Sequence, residues 1–339
     1  ATLPLCGVGC STGSCGSRFG ARAGSAAAGP GGERANPDEP GYLALERSGE
    51  LEKREEALWQ ILAACRLCPR ECGVNRLEGE VGVCRSTAEL HIKSAGPHFG
   101  EESTLVGLGG SGTIFFSQCN LRCVFCQNWQ INHRGDGAVR THGELAEMML
   151  GLQEKGCNNV NLVTPTHVTP HILKALRLAI RGGLELPLVY NTSAYDSFEV
   201  IELLDGVVDV YLPDFKYQDG AMAARYSNEA ADYPEVASRV IKEMHRQVGD
   251  LETSGLMGVA ERGLILRHLV MPHNIGGTDR FVRWVARELS ANTYVNLMAQ
   301  YRPAHRADEF PKIARPLTEG EWERALGWAR AAGLERLDT

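Results

Sequence analysis

The chain has 339 residues, of which 43% are hydrophobic and 23% charged, so it can bury the core of one large α/β barrel or of two ordinary domains. No apolar run approaches the roughly 20 residues that a membrane-spanning helix requires, so we expect no membrane partner. The net charge of −7 comes with scattered arginines and no basic stripe, which argues against a nucleic-acid partner.

Residues 1–42 form a low-complexity segment rich in Gly, Ala and Ser, and we expect it to be disordered. The same bias occurs in organelle targeting segments, so targeting is an alternative to a cytoplasmic location. A disordered segment does not preorganise metal ligands, so we assign no function to Cys6, Cys10 and Cys15. The eleven cysteines of the chain occur in clusters rather than as spread pairs, which favours metal binding in a reducing compartment such as the cytoplasm.

Residues 43–106 combine a predicted helix with a cysteine-rich segment. Apolar residues recur at helical spacing over Leu43–Ala64. Four cysteines follow in a C-x2-C-x3-C-x11-C pattern, at Cys65, Cys68, Cys72 and Cys84. Four thiolates leave no open position, so the pattern predicts a structural or electron-relay centre, and zinc and a second [4Fe–4S] cluster both fit. Four unrelated buried thiols are the remaining alternative.

Residues 107–303 consist of repeated strand and helix patterns, and residues 304–339 form a predicted helical extension. Short apolar runs alternate with helical stretches, which is typical of parallel βαβ units. The pair Thr141 and Glu144 has the residue types of a capping box at a helix start. The pattern predicts an α/β fold with an open sheet or an incomplete (β/α) barrel, in which ligands bind at the carboxyl ends of the strands. The six predicted strands are Thr113–Ser117, Val160–Thr164, Leu186–Asn191, Val207–Pro213, Leu264–Met271 and Tyr294–Gln300.

The strongest chemical signal is the segment SQCNLRCVFCQNW, Ser117–Trp129, which we call the cysteine loop. It places Cys119, Cys123 and Cys126 in a C-x3-C-x2-C spacing directly after the first predicted strand. Three thiolates suit an iron–sulfur cluster and leave its fourth iron without a protein ligand, as a catalytic centre requires. A zinc knuckle is the alternative, but zinc sites favour paired C-x2-C units or histidine partners, and no second pair follows nearby.

The cysteine loop, with Phe125 before its last cysteine, resembles the signature of the radical S-adenosylmethionine (SAM) superfamily. The phrases LCPRECGVNR, CQNW, VTPTH and YLPDFKY resemble more narrowly the group of proteins similar to pyruvate formate-lyase activating enzyme. The resemblance implies a partial (β/α)6 TIM-like barrel with an N-terminal cysteine-rich extension. It also implies an oxidoreductase or lyase in which a [4Fe–4S] cluster cleaves SAM to a 5′-deoxyadenosyl radical that abstracts hydrogen.

The resemblance implies partners as well. A reducing donor such as flavodoxin or ferredoxin supplies the electron, and in activating enzymes the substrate is a glycine of a partner protein. A small molecule or another protein is the alternative substrate, because fold and motif do not fix the substrate. Two other classes stay open, a non-catalytic iron–sulfur electron-transfer protein and a zinc-dependent binding module. An electron-transfer protein normally completes each cluster with four cysteines, and the cysteine loop has three.

Polar residues at the predicted strand ends are candidates for holding SAM and substrate. Most radical SAM enzymes receive the SAM amino group on a Gly-Gly-Glu segment after the second strand, where this chain has Thr164, Thr166 and His167. Hydroxyl and imidazole groups also accept hydrogen bonds. The resemblance places Asp214 and Lys216 in the active site, with a salt bridge at the barrel mouth as the alternative. The other expected cofactor contacts are Phe125, Asn128, Asn191, Thr192 and Ser193.

Several further patterns carry weaker signals. Gly107–Gly112 matches G-x-G-x-x-G, but it precedes a strand, whereas a dinucleotide site follows one. His167 and His171 are four residues apart, but a helix start between them separates their faces, so we expect no shared metal. For Arg267–His273 and Met298–Pro303, substrate contact and an ordinary strand end are both open.

Overall fold

The computed structural model describes residues 39–339. The prediction of disorder over residues 1–42 lies outside the described residues as far as residue 38, as does the interpretation of Cys6, Cys10 and Cys15. For Gly41 and Tyr42 the prediction is wrong, because both residues are buried at the start of a helix. The helices are α1 (Gly41–Arg47), α2 (Glu50–Gln60), α3 (Ser103–Val106), α4 (Trp129–Asn132), α5 (His142–Glu154), α6 (Thr169–Arg181), α7 (Phe198–Leu203), α8 (Gly220–Tyr226), α9 (Tyr233–Val248), α10 (Thr278–Glu288) and α11 (Glu319–Ala331). Within residues 39–339, none of these helices has the length and apolar character needed to cross a membrane.

The strands form one ten-stranded sheet, in the order β10-β9-β8-β6-β5-β4-β2-β1-β3 with β7 paired to β8. Their bounds are β1 (Leu90–His98), β2 (Ser111–Phe116), β3 (Ala138–Arg140), β4 (Val160–Val163), β5 (Leu188–Thr192), β6 (Val210–Pro213), β7 (Glu252–Ser254), β8 (Val259–Leu269), β9 (Tyr294–Met298) and β10 (Leu337–Asp338). Each neighbouring pair from β2 to β10 along this order is parallel, and β1 and β3 are antiparallel additions at one edge. The chain therefore has a mixed α/β fold with a mainly parallel central sheet, consistent with a TIM-like fold.

The six predicted apolar runs correspond to β2, β4, β5, β6, β8 and β9. Strands β4, β5 and β6 are buried almost throughout, which explains why they read as continuous apolar runs rather than as alternating patterns. Because parallel strands share one direction, the carboxyl ends of all six lie at the same edge of the sheet. The loops that follow these strands therefore meet there.

Helix α5 begins with a reciprocal cap. The Glu144 amide donates to Thr141 Oγ1 (3.1 Å), and the Thr141 amide donates to the Glu144 carboxylate (2.7 Å). This geometry confirms the capping box that the sequence predicts. The cap fixes where the chain turns from the short strand β3 into the helix.

The predicted single helix over Leu43–Ala64 is wrong, because the structure divides it into α1, α2 and a short 3₁₀ helix at Ile61–Ala64. The break falls at Gly49, whose φ of 74° lies in the left-handed region that glycine tolerates. Before the break, Tyr42 is fully buried and its hydroxyl donates to the Leu186 carbonyl (2.8 Å). Residues 41–64 therefore pack as part of the same fold as the sheet.

Candidate active site

The cysteine loop follows β2 at the carboxyl edge of the sheet and borders a central cavity. Cys119, Cys123 and Cys126 all line this cavity, and the first two are more than nine-tenths buried. The loop is held from within by Asn120, whose side-chain amide donates to the Tyr195 carbonyl (2.6 Å). The three thiols predicted to bind one metal cluster therefore share one cavity.

Each of these thiols also accepts a hydrogen bond from a neighbouring group. The donors are the Leu121 amide to Cys119 (3.4 Å), the Ser227 hydroxyl to Cys123 (3.1 Å) and the Asn132 side chain to Cys126 (3.4 Å). Burial raises the pKa of Cys123 to about 12, and it raises the pKa of Cys119 and Cys126 in the same direction. A metal that binds here must displace these protons, because the thiolate is the ligand.

Polar strand ends line the same cavity. Strands β4, β5 and β6 each contribute side chains from their carboxyl ends, as the parallel arrangement requires. The predicted residues that border the cavity, besides the three cysteines, are Phe125, Asn128, Thr164, Asn191, Thr192, Ser193, Asp214 and Lys216. The fold thus brings together residues that are far apart in the sequence.

Asp214 lies at the centre of a charged network on the cavity wall. Its Oδ2 accepts a hydrogen bond from Lys216 Nζ (2.7 Å), and its Oδ1 accepts one from Arg267 Nε (2.8 Å). The Arg267 guanidinium also donates to Asn191 Oδ1 (2.6 Å) and to Glu101 Oε2 (3.3 Å). The side chains of Asp214, Lys216 and Arg267 are all less than one-fifth exposed. Two cations and two carboxylates are therefore held together next to the thiols.

This network keeps Asp214 and Lys216 ionised. Burial alone would raise the pKa of Asp214, but the Arg267 and Lys216 cations outweigh it and hold the pKa below its usual value. Burial would lower the pKa of Lys216, and the Asp214 carboxylate reverses that, so this pKa is raised. At neutral pH both side chains of the predicted pair are charged, and neither is suited to act as an acid or a base.

Comparison with known proteins identifies the family. Residues 113–248, from β2 to α9, match the family model described as the radical SAM superfamily. The chain is also 36% identical over 293 residues to an uncharacterized protein of Methanocaldococcus jannaschii, an overlap that covers 84% of this chain and 80% of that relative. This chain belongs to the radical SAM superfamily. Membership implies an enzyme that uses a [4Fe–4S] cluster and SAM.

The residues present fit these radical SAM cofactors. Three thiols line the cavity with no fourth cysteine among its described lining residues, which suits a cluster that keeps one iron open. Hydroxyl, amide and charged groups surround them, and these are the groups that bind an amino acid and a ribose.

Thr166 and His167, which were predicted to contact SAM, do not line the radical SAM cavity. They lie in a 3₁₀ turn, Thr166–Val168, directly after β4, and both are almost fully buried. Thr166 Oγ1 is hydrogen-bonded to Thr192 Oγ1 (3.3 Å), and His167 Nε2 donates to the Ser117 carbonyl (2.7 Å). The prediction placed them by their position after a strand, whereas the tight turn carries them into the interior.

The segments at the carboxyl ends of β8 and β9 each contribute every second residue to the cavity wall. The cavity is lined by Arg267 and Leu269 from β8 and by Met298 and Gln300 from β9 and the residues after it. This alternation is the period of a strand. His268, between the first two, is instead buried against the Phe215 carbonyl (2.6 Å). The two-residue period of a strand, applied to the sequence, could have distinguished the cavity-lining Arg267 and Leu269 from the buried His268.

The sequence prediction missed several cavity residues close to the cysteines. Arg122, Asn132 and His133 line the radical SAM cavity, and His133 Nε2 donates to the Cys123 carbonyl (3.0 Å). Asn132 and His133 lie at the end of the short helix α4, which folds back onto the loop. Because α4 directly follows the cysteine loop in sequence, its residues could have been predicted to lie near the thiols.

Strained backbone surrounds the cavity. Gln118, Arg122, Thr164 and Ala194 have φ angles of 76°, 49°, 61° and 58°. Thr164 stands out, because a β-branched side chain rarely adopts the left-handed region and such a residue costs about 1–3 kcal/mol. Its amide donates to the Asn191 carbonyl (2.9 Å), so pairing with the next strand stabilises the strained conformation. Strain of this kind is common where a structure positions groups for a ligand.

Proposed function

We propose that the chain cleaves SAM reductively and uses the resulting radical to abstract hydrogen from a substrate bound in the central cavity. The observation that carries this proposal is that the three thiols of the cysteine loop share one cavity with the polar ends of β4, β5 and β6. The six parallel strands β2, β4, β5, β6, β8 and β9 support a partial (β/α)6 barrel as the fold of this core.

Cys119, Cys123 and Cys126 would hold the cluster. When bound, the cluster and SAM supply a carbon-centred radical that removes hydrogen from a substrate. The donors to the three sulfurs and the burial of the loop adjust the reduction potential of a cluster held there. Phe125 is 6% exposed and packs edge-on against Tyr301, with ring centroids 5.9 Å apart, which keeps water away from the thiols.

The ends of β4 and β5 would hold SAM. Thr164, Asn191 and Ser193 present the hydroxyl and amide groups that suit the amino, carboxylate and ribose groups of SAM. Thr192 is less available, because its hydroxyl donates to the buried Asp196 carboxylate (2.6 Å). The Asp214 network adds fixed charges of both signs, which orient a ligand that itself carries both signs.

For the substrate, we propose a glycine of a partner protein, with a reduced flavodoxin or ferredoxin as the electron donor. The support is the resemblance of CQNW and YLPDFKY to activating enzymes, together with the contribution of both phrases to the cavity through Cys126, Asn128, Asp214 and Lys216. A small-molecule substrate is the alternative. Transfer of deuterium from a Cα-deuterated glycine peptide into 5′-deoxyadenosine distinguishes the two.

The proposal is tested by anaerobic reconstitution with iron and sulfide, followed by dithionite and SAM. We expect a brown protein that releases 5′-deoxyadenosine, and no release after Cys119, Cys123 and Cys126 are all changed to Ala. Cys157→Ala is the matched control, because Cys157 is a buried free thiol outside the cavity. Undiminished release from the triple variant would show that the cysteine loop is not the catalytic site, and a brown wild-type protein without release would indicate an electron-transfer protein.

A further inference from the structure

A second set of cysteines surrounds another pocket. Three of the four cysteines in the C-x2-C-x3-C-x11-C pattern, Cys65, Cys68 and Cys84, are buried, each with 8% of its surface exposed. All four thiols are free, and together with His167 they line this pocket. We call it the second thiol pocket, defined by Cys65, Cys68, Cys72, Cys84 and His167.

Backbone turns build the walls of the second thiol pocket. The Cys65 amide donates to the Val74 carbonyl (2.9 Å), and the Gly73 amide donates to the Cys65 carbonyl (3.0 Å), which closes the chain into a knuckle. Gly82 passes so close that a Cβ there would lie 2.7 Å from Cys72 Sγ. The pocket therefore brings the backbone near the sulfurs, as metal-binding loops do.

His167 gives an independent indication of a ligand. Its Nε2 donates to the Ser117 carbonyl (2.7 Å), so this nitrogen carries the ring proton and Nδ1 keeps its lone pair. The ring is 2% exposed, and Nδ1 has no hydrogen-bond partner within residues 39–339. A buried lone pair without a donor is costly, and an unmet polar atom of this kind indicates that the pocket is built to hold a further group. Because four cysteines bind all four irons of a [4Fe–4S] cluster, His167 would border such a cluster and would not ligate it.

The second thiol pocket adjoins the cysteine loop. Arg70, which lines the pocket, donates to the Asn120 carbonyl (3.3 Å) and to the Ser227 carbonyl (3.1 Å). The Ser227 hydroxyl in turn donates to Cys123 Sγ (3.1 Å). Hydrogen bonds therefore link the lining of the second thiol pocket to the cysteine loop next to Cys123.

We propose that Cys65, Cys68, Cys72 and Cys84 bind a second [4Fe–4S] cluster that relays electrons to the cluster of the cysteine loop. The relay step rests on the proposed function, whereas the metal site itself does not. A one-electron donor such as reduced ferredoxin or flavodoxin is oxidised and reduces the second cluster. The second cluster is then reoxidised as it reduces the first by one electron. No covalent bond changes in either step.

The spacing of the ligands and their position favour iron over zinc. In residues 39–339, no three His, Cys, Asp or Glu side chains approach closely enough to hold one metal ion. This applies both to the cysteine loop and to the second thiol pocket. In a [4Fe–4S] cluster the thiolates bind different iron atoms, so wider spacing suits it. Zinc has no redox chemistry, so zinc in this pocket could not pass electrons to the neighbouring cysteine loop.

The test is metal analysis and electron paramagnetic resonance on the full chain, with three variants. We expect about eight iron atoms in the wild type and about four in the Cys119/Cys123/Cys126→Ala variant. A Cys68→Ala, Cys84→Ala variant should also retain about four iron atoms, and Cys157→Ala should match the wild type. After dithionite, the triple variant should still show the signal of a reduced cluster. Zinc alone, or no metal, in the triple variant overturns the proposal, as does a spin count of one cluster in the wild type.

The relay has its own measurement. In the Cys68→Ala, Cys84→Ala variant, reduction of the remaining cluster by reduced ferredoxin should slow at least about tenfold, whereas reduction by dithionite should be unchanged. Equal slowing with both reductants, or none with either, overturns the relay. The second cluster is detected by iron content and spin count, and the proposed function by release of 5′-deoxyadenosine. A wild-type protein that fails to release 5′-deoxyadenosine would therefore contradict the proposed function, whereas iron content and spin count would still test the second cluster. If the double variant does not fold, the wild-type spin count decides whether the second cluster is present, and Cys72→Ala, at the least buried of the four thiols, takes the place of the double variant in the comparison of ferredoxin with dithionite.

Discussion

Asp214 couples the charges of the cavity wall because it bonds two cations at once. Its two carboxylate oxygens bond Lys216 and Arg267 separately, so removing the carboxylate leaves both cations without their main partner. Glu101 still contacts Arg267, but at the longer distance of 3.3 Å. The side chains are largely buried, so water does not replace the lost partner fully.

Asp214→Asn and Lys216→Met should therefore impair the reaction without emptying the cluster site. We expect unchanged iron content and a decrease of about ten- to a hundredfold in SAM cleavage or substrate turnover, equivalent to about 1.4–3 kcal/mol. The measurements are iron analysis and the rate of 5′-deoxyadenosine release for each variant. Glu199→Gln, in an exposed ion pair with Arg66, is the control. A lower melting temperature with unchanged rates per folded molecule would show that the network is only a structural salt bridge in the cavity wall.

The glycine-rich run Gly107–Gly112, which leads into the start of β2, allows close packing. A Cβ on Gly109 would lie 1.7 Å from the Gly156 carbonyl oxygen, and one on Gly112 would lie 2.5 Å from the Asn159 carbonyl oxygen. Both contacts are with the backbone of the loop between α5 and β4, which cannot move aside as a flexible side chain would. The small residues let β2 start against this loop and so set the register that places the cysteine loop.

Gly109→Ala should destabilise the protein by about 1–3 kcal/mol or more, because the methyl group forces two backbones apart. Gly151→Ala is the matched control, since Gly151 lies in α5 with nothing within 4 Å of its Cβ position. Alanine favours a helix over glycine, so this variant should gain about 0.5–1 kcal/mol. Urea unfolding of the anaerobic holoprotein measures both. A tolerated alanine at Gly109 would contradict the packing role.

Elements with a local pattern were predictable, and elements that depend on distant partners were not. Strands β4, β5 and β6 are short apolar runs because both faces are covered, and the α5 cap is a local residue pair. Strand β1 was missed because it lies near the sheet edge, has mostly exposed or half-buried residues and contains Pro97. Its pairing with β2 is visible only in the folded chain.

The same distinction applies to the site. The three cysteines and the Asp-x-Lys pair are local patterns, and the structure brings them to one cavity. Arg267 pairs with Asp214 across the register of β6 and β8, which no local pattern contains. His167 was misplaced because a 3₁₀ turn and the Ser117 carbonyl, both tertiary features, direct its ring inward.

At the scale of the whole molecule, the segment before the cysteines of the second thiol pocket is attached to the helices around the central sheet by charge as well as by packing. Arg177 on α6 bonds Glu46 of α1 at 3.0 Å and Glu52 and Glu55 of α2 at 2.9 and 2.8 Å. Its side chain is 14% exposed, and the three carboxylates outweigh burial and raise its pKa further. One guanidinium therefore joins both N-terminal helices to the outer layer of the fold.

Arg177→Met should lower the free energy of unfolding by about 1–3 kcal/mol, between the small value of an exposed ion pair and the larger one of a fully buried pair. The variant leaves three carboxylates close together without their shared cation, so the loss should decrease as salt screens their repulsion. Arg66→Met removes an ion pair that is about half exposed on both sides, and it should cost less than about 1 kcal/mol. Urea unfolding at low and high salt measures both variants. If Arg177→Met and Arg66→Met lower the free energy of unfolding equally, packing alone holds α1 and α2. If Arg177→Met lowers it more and the second thiol pocket also loses its metal, the attachment of α1 and α2 also positions the Cys65–Cys84 segment that follows them.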